Sequence, residues 1–106
     1  MSNPMRGEVE VVLDGQRHVA RLTLGALAEL EGALGAQSMI AVVERFEGGS
    51  FSSRDVLAVL AAGLRGGGWT GEAGDLLAVD IGGGPVGAAK AAADLLARAF
   101  RVAAPA

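Results

Sequence analysis

Three glycines in the stretch IGGGPVGAAK (residues 81–90) have the spacing of a phosphate-binding loop. Gly82, Gly84 and Gly87 match G-x-G-x-x-G, with LLAV before them and an Ala/Leu-rich run after. Strand, glycine loop and helix in that order would let backbone amides and a helix N-terminus face an anion. The dinucleotide version of this chemistry also needs a βαβ unit and an acidic residue about 20 positions on, to hold the ribose. The helix that follows Gly87 uses nearly all the remaining chain, so there is no second strand and no acidic partner. The P-loop version needs Lys and then Ser/Thr directly after Gly87, but Ala88 and Ala89 stand there and Lys90 comes two places late. The stretch is therefore expected to be a joint, with Gly82–Gly84 turning the chain and Pro85 opening the last helix. Nucleotide binding through 81–90 is the remote alternative.

The other groups able to do chemistry are dispersed. His18 is the single histidine and the chain has no cysteine, so neither a catalytic triad nor a His- or thiolate-based metal site assembles within one chain. His18 reads as a solvated or half-buried strand residue. Glu29, Glu31, Glu44 and Glu47 fall on helix surfaces. Glu44 and Glu47, three apart, can share a face, but no apolar pocket is evident to tune them for proton transfer. Ser50, Ser52 and Ser53 suit turns and caps better than nucleophilic attack. The expectation is no catalytic, cofactor or metal site, and hence no enzyme.

Recognition is the better prospect. Trp69 stands alone between Gly66–Gly68 and Thr70-Gly71. Such an indole either plugs the core from a loop, the commoner fate, or projects as a partner anchor. Phe46 and Phe51 flank EGGS with the same two options. A groove for an amphipathic partner helix is expected near Leu64 and Trp69, with Phe46 and Phe51 as further candidates.

Composition narrows the partners. The 106 residues suffice for one domain with a real core, and 51% are apolar, mostly Ala, Leu and Val. A net charge of −3, one lysine and scattered arginines argue against nucleic acid. No signal-peptide h-region opens the chain, and stretches such as VLAVLAAGL (56–64) are too short to span a bilayer, so a cytoplasmic protein with no membrane partner is expected.

The elements that must position these residues form an α+β fold, mostly α, as one domain over 1–106. EVEVVL, Asp14-Gly15 and RHVARLT predict a β-hairpin over about 7–23, since a type I′ turn needs φ > 0 at both central positions. With Leu13 opposite Gln16, the apolar face holds Val9, Val11, Leu13, His18, Ala20 and Leu22. A small bundle of four to five helices should cover it, at about 24–34, 38–47, 53–65, 72–80 and 85–101, with frayed ends at 1–5 and 102–106. Thr23 is the expected N-cap of the first helix, whose stripe is Leu24, Leu27, Leu30 (or Glu31) and Leu34, with Gly35 just past its end. Ile40, Val43 and Phe46 should line the second, which Gly48-Gly49 stop. Ser52 or Ser53 caps the third, with Asp55 in its first turn and Val56, Leu57, Leu60 and Leu64 inward. Thr70 can cap a short helix around 72–80, or LLAVDI is instead a strand. Ala89, Ala92, Leu96 and Phe100 form the buried line of the last. The glycine runs suggest mobility across 66–84.

Taken together, GEVEVVLDGQRHVARLTLGALAELEGALG (7–35) and VLAVLAAGLRGGG (56–68) resemble the gene transfer agent family of small phage-tail proteins, and the likeness runs over nearly the whole chain. These proteins are grouped with phage tail assembly chaperones and are also labelled tail tube proteins. They are encoded among the tail genes of phage-like particles in α-proteobacteria. The resemblance implies a chaperone that binds the tape-measure or tail tube protein during assembly, or else a tube or terminator component that stays in the particle. It leaves self-association open and carries no catalytic residue.

Overall fold

A computed structural model describes residues 7–34 and 39–103. The chain forms β1 (Glu8–Leu13), β2 (Gln16–Arg21), α1 (Leu24–Leu34), α2 (Met39–Glu47), α3 (Ser53–Gly66), a 3₁₀ helix (Ala73–Ala78) and α4 (Gly84–Ala103). This is the expected architecture, a hairpin packed on a helical layer. Gly35, expected just past the end of the first helix, and residues 1–5 and 104–106 of the expected frayed ends lie outside the described residues, while residues 102 and 103, also expected to fray, continue α4.

The hairpin pairs in the register set by its turn. Leu13 faces Gln16, Val11 faces His18 and Val9 faces Ala20. Asp14 and Gly15 have φ of 49° and 81°, the left-handed pair that a type I′ turn requires. Val9, Val11, Leu13 and Ala20 are buried, while His18 is half-buried. The segment before α4 then adds to the outer side of β1. Ile81 bridges Leu13 in antiparallel sense, and the Gly82 amide donates to the Val12 carbonyl at 2.9 Å. Asp14 and Asp80 close this contact, with the Asp14 amide on the Asp80 carbonyl (2.8 Å) and the Asp80 amide on Asp14 Oδ1 (3.0 Å). Both readings of 72–81 are thus partly realised: a helix first, then one strand-like residue. Glu72, rather than Thr70, precedes that helix, its amide donating to Asp75 Oδ2 at 2.8 Å.

α3 is the centre of the fold, packing against β2, α1, α4 and the 3₁₀ helix. Ser52 is its cap: the Asp55 amide donates to Ser52 Oγ at 3.1 Å and the Ser52 amide to Asp55 Oδ2 at 2.9 Å. These are the reciprocal bonds of a capping box. Its other end closes in a Schellman motif. The Trp69 amide donates to the Leu64 carbonyl (2.9 Å) and the Gly68 amide to that of Arg65 (3.0 Å), with Gly68 at φ 107°. Gly66 and Gly67 let this end lie directly on β2, because a Cβ at either would overlap the carbonyl oxygen of Arg21 or Val19.

Two predicted stripes hold except at their first residue, since Leu27, Leu30 and Leu34 of α1 and Val43 and Phe46 of α2 pack on the core. In α1, Thr23 caps as expected, accepting from the Ala26 amide at 3.1 Å. Ala26 and Leu30 are buried there, and Leu24 is exposed. In α2, Val42 is buried and Ile40 is exposed. Each predicted stripe began one apolar residue too early. Within each first turn, Leu24 and Ile40 stand on the outward side while Ala26 and Val42 face the core. In α4 the buried residues are Ala88, Ala92, Leu95 and Leu96, with Ala89 and Phe100 half-buried.

Candidate functional site

The glycine stretch has its amides committed elsewhere. Gly82 donates to Val12, Gly84 to Ile81 (2.8 Å) and Gly87 to Gly83 (3.1 Å). A phosphate cradle needs such amides free and convergent. Here they hold β1 and the first turn of α4 instead. Gly83 and Gly84, at φ 83° and 65°, reverse the chain, and Pro85 sits in the first turn of the helix as expected. The joint is bonded at both ends, to β1 and to α4.

The four predicted partner-binding residues fall in two places. Leu64 is fully buried, so it presents nothing to a partner in this conformation. Trp69 is half-buried and packs on the core, and its indole lies over Gly71, where a Cβ would overlap the ring. The Schellman motif explains why these two residues go together. They are the last-turn and following positions of a helix end that favours an apolar contact. Arg65 tightens the same loop through its ion pair with Glu29 and a 3.0 Å bond to the Gly71 carbonyl. The exposed edge of Trp69 borders a shallow concavity of about 470 Å³ that also touches His18, Asp14 and Asp75. Both carboxylates there already accept backbone amides.

Phe46 and Phe51 stack face to face, ring centroids 4.7 Å apart and planes 2° from parallel. Phe51 begins an apolar groove of about 420 Å³ between the start of α3, the 3₁₀ helix and the start of α4. Val56, Leu57, Leu76, Leu77 and Pro85 make most of its lining, and Ser52 and Ser53 supply its polar atoms. Leu77 is 74% exposed and Val86, just beyond Pro85, 79%, the largest apolar exposure in this part of the surface. Phe46 instead borders a cleft of about 280 Å³ between α2 and α4, with Val43, Ala93 and Leu96. A groove exists, but at the opposite end of α3 from Leu64 and Trp69.

Sequence reasoning missed Leu77, Pro85 and Val86 as surface formers. A signal was present in Leu76-Leu77: adjacent leucines in a single-faced helix cannot both point inward, and Leu76 is the buried one. No helix among the described residues is long and apolar enough to cross a membrane.

A family model described as “Phage tail tube protein, GTA-gp10” matches residues 6–102 of this chain. No curated protein and no solved structure matches it.

Proposed function

The chain belongs to the phage tail tube protein family GTA-gp10, and we propose that it is a structural component of the tail of a gene transfer agent, retained in the phage-like particle. The observation that carries this reading is the extent of the family match, from the first hairpin residue to the last turn of α4. The family is described by a tube protein. That favours a component that stays over a chaperone that leaves, although the resemblance read from the sequence put the chaperone first.

The role proposed is non-enzymatic and rests on contact with other tail proteins, the tape-measure protein among them. The polar groups support it. The loop glycines donate within the fold, Asp55 is held by Ser52 and Arg45, and the concavity at the start of α3 is an open groove lined mostly by apolar side chains. Such a surface suits protein contact better than turnover of a polar substrate.

Quantitative mass spectrometry of purified particles tests the reading. The expected result is this chain present in a fixed ratio to the other tail proteins, in many copies per particle. Its absence from particles, with the chain abundant in the producing cells, would overturn the reading and restore the chaperone.

A further inference from the structure

The groove at the start of α3 has an apolar floor, and a basic side chain stands beside it. Leu57, Leu77 and Pro85 line it, and no acidic side chain does. Arg54, in the first turn of α3, lines an adjoining concavity of about 270 Å³ that shares Leu57 and Leu77. Lys90 stands one turn beyond Val86 on α4. Arg54 and Lys90 are exposed, and neither pairs with a carboxylate among the described residues.

The outward face of α2 has the complementary character. Ile40, Glu44 and Glu47 fall at i, i+4 and i+7, on one side of the helix. Ile40 is 66% exposed, both carboxylates are exposed, and neither meets a cation among the described residues. The opposite side, with Val42 and Phe46, packs inward. One surface of the chain is therefore an apolar groove with Arg54 beside it, and another is a helix face that is apolar and negative.

We propose that the groove receives α2 of a second copy of this chain, with Ile40 seated against Leu77 and with Glu44 and Glu47 reaching Arg54 and Lys90. An apolar centre excludes water, and the flanking charges set register and discriminate against other helices. Because knob and socket are different surfaces, a copy whose groove is filled still presents its own α2. The contact can therefore repeat from copy to copy. This self-association is a property of the purified chain and does not depend on its being retained in the particle.

Sedimentation of the full chain over a concentration series tests it. The wild type is expected to associate reversibly. Ile40→Asp and Leu77→Asp should each weaken association at least tenfold, with unchanged circular dichroism because both positions are exposed. An equimolar mixture of the two should recover one pairing, the intact α2 of one chain in the intact groove of the other, and stop at two chains. Glu44→Arg with Glu47→Arg should abolish association, and adding Arg54→Glu with Lys90→Glu to the same chain should restore it. A monomer at every concentration, or association that these variants leave unchanged, would overturn the proposal. So would protection of residues 76–89 from hydrogen exchange only when a different tail protein is added, which would assign the groove to that protein. Each of these results leaves the measured particle composition as it was, so the two readings fail separately.

Discussion

α2 and α3 are consecutive helices that stop in the same way and do different things. α2 also ends in a Schellman motif, with the Ser50 amide on the Arg45 carbonyl (2.9 Å), the Gly49 amide on that of Phe46 (3.4 Å), and Gly49 at φ 75°. The residue after the positive-φ glycine differs. It is Trp69 for α3, which folds back on the core, and Ser50 for α2, which is exposed. α3 carries a side-chain capping box and buries residues on all sides, including Val59, Leu60, Ala61, Ala62 and Leu64. Among the described side chains of α2, Val42 alone is fully buried. Two side-chain ties link the helices, the Phe46–Phe51 stack and the 3.0 Å ion pair between Arg45 and Asp55. Local stop chemistry is thus indifferent to role. Burial makes α3 the scaffold and leaves α2 as a displayed helix.

The sharpest way to break that contrast is to remove equivalent buried groups. Leu60→Ala takes three carbons from a side chain with no exposure and should cost about 2–5 kcal/mol in denaturant unfolding. Val42→Ala removes two methyls, also from a site with no exposure, at roughly 0.8 kcal/mol each. Much of that loss should appear as faster amide exchange confined to α2, because local opening costs less than global unfolding. Equal global losses for the two variants would make α2 as much a part of the scaffold as α3.

Gly67→Ala probes the seat of α3 on β2. Gly67 has an ordinary φ of −93°, so the substitution is conformationally easy, but its Cβ would meet the backbone at Val19. Backbone cannot rotate away as a side chain can. The expected loss is about 1–3 kcal/mol, read as a lowered denaturant midpoint. A neutral result would show that the end of α3 stands off β2.

Asp55→Ala cuts the capping box and the ion pair together. Asp55 is 4% exposed and serves both the Ser52 amide and Arg45. The bond from the residue 55 amide to Ser52 Oγ survives, so the loss is that of the carboxylate's bonds to the Ser52 amide and Arg45, about 1–3 kcal/mol. Exchange should accelerate in the first turn of α3 and along α2, leaving the hairpin as protected as before. If α2 is unaffected, Arg45 is not one of its ties.

Much of this contrast was legible in the residues. DG between alternating valines gave the hairpin and its register, because turn type and pleat leave one solution. Ser52 with Asp55, and Thr23 before a leucine run, gave two caps. What was not legible is which residue of each first turn stands on the outward side. Leu24 and Ile40 carry the same periodic signal as buried residues, and only tertiary packing tells them apart. The groove was placed beside Leu64 and Trp69 because both are large and stand near flexible glycines. Yet Leu64 lies on the inward face of α3, and the glycines there serve close backbone contact. The outcome for 66–84 has the same origin: glycine runs that read as mobile joints are bonded to β1 at Gly82 and laid on β2 at Gly66 and Gly67.

The smallest expected change in stability belongs to Ile40→Asp, and it isolates display from scaffolding. Ile40 is 66% exposed, so the unfolded and folded chains present most of its side chain to water alike, and exposed substitutions of this kind fall within about 0.5 kcal/mol. The new carboxylate lies one turn before Glu44, a like-charge pair, but also in the first turn of α2 where the helix dipole favours an anion, so the two effects nearly offset. Thermal unfolding of the variant should therefore nearly overlay that of the wild type when both are measured dilute and monomeric. At concentrations where the wild type associates the two curves should separate, because an assembly that binds only the folded chain raises its apparent stability by mass action. A large loss in the dilute monomer would place Ile40 in the core and make α2 a scaffold helix after all. A loss that grows with wild-type concentration alone keeps α3 as the frame and α2 as the face it presents.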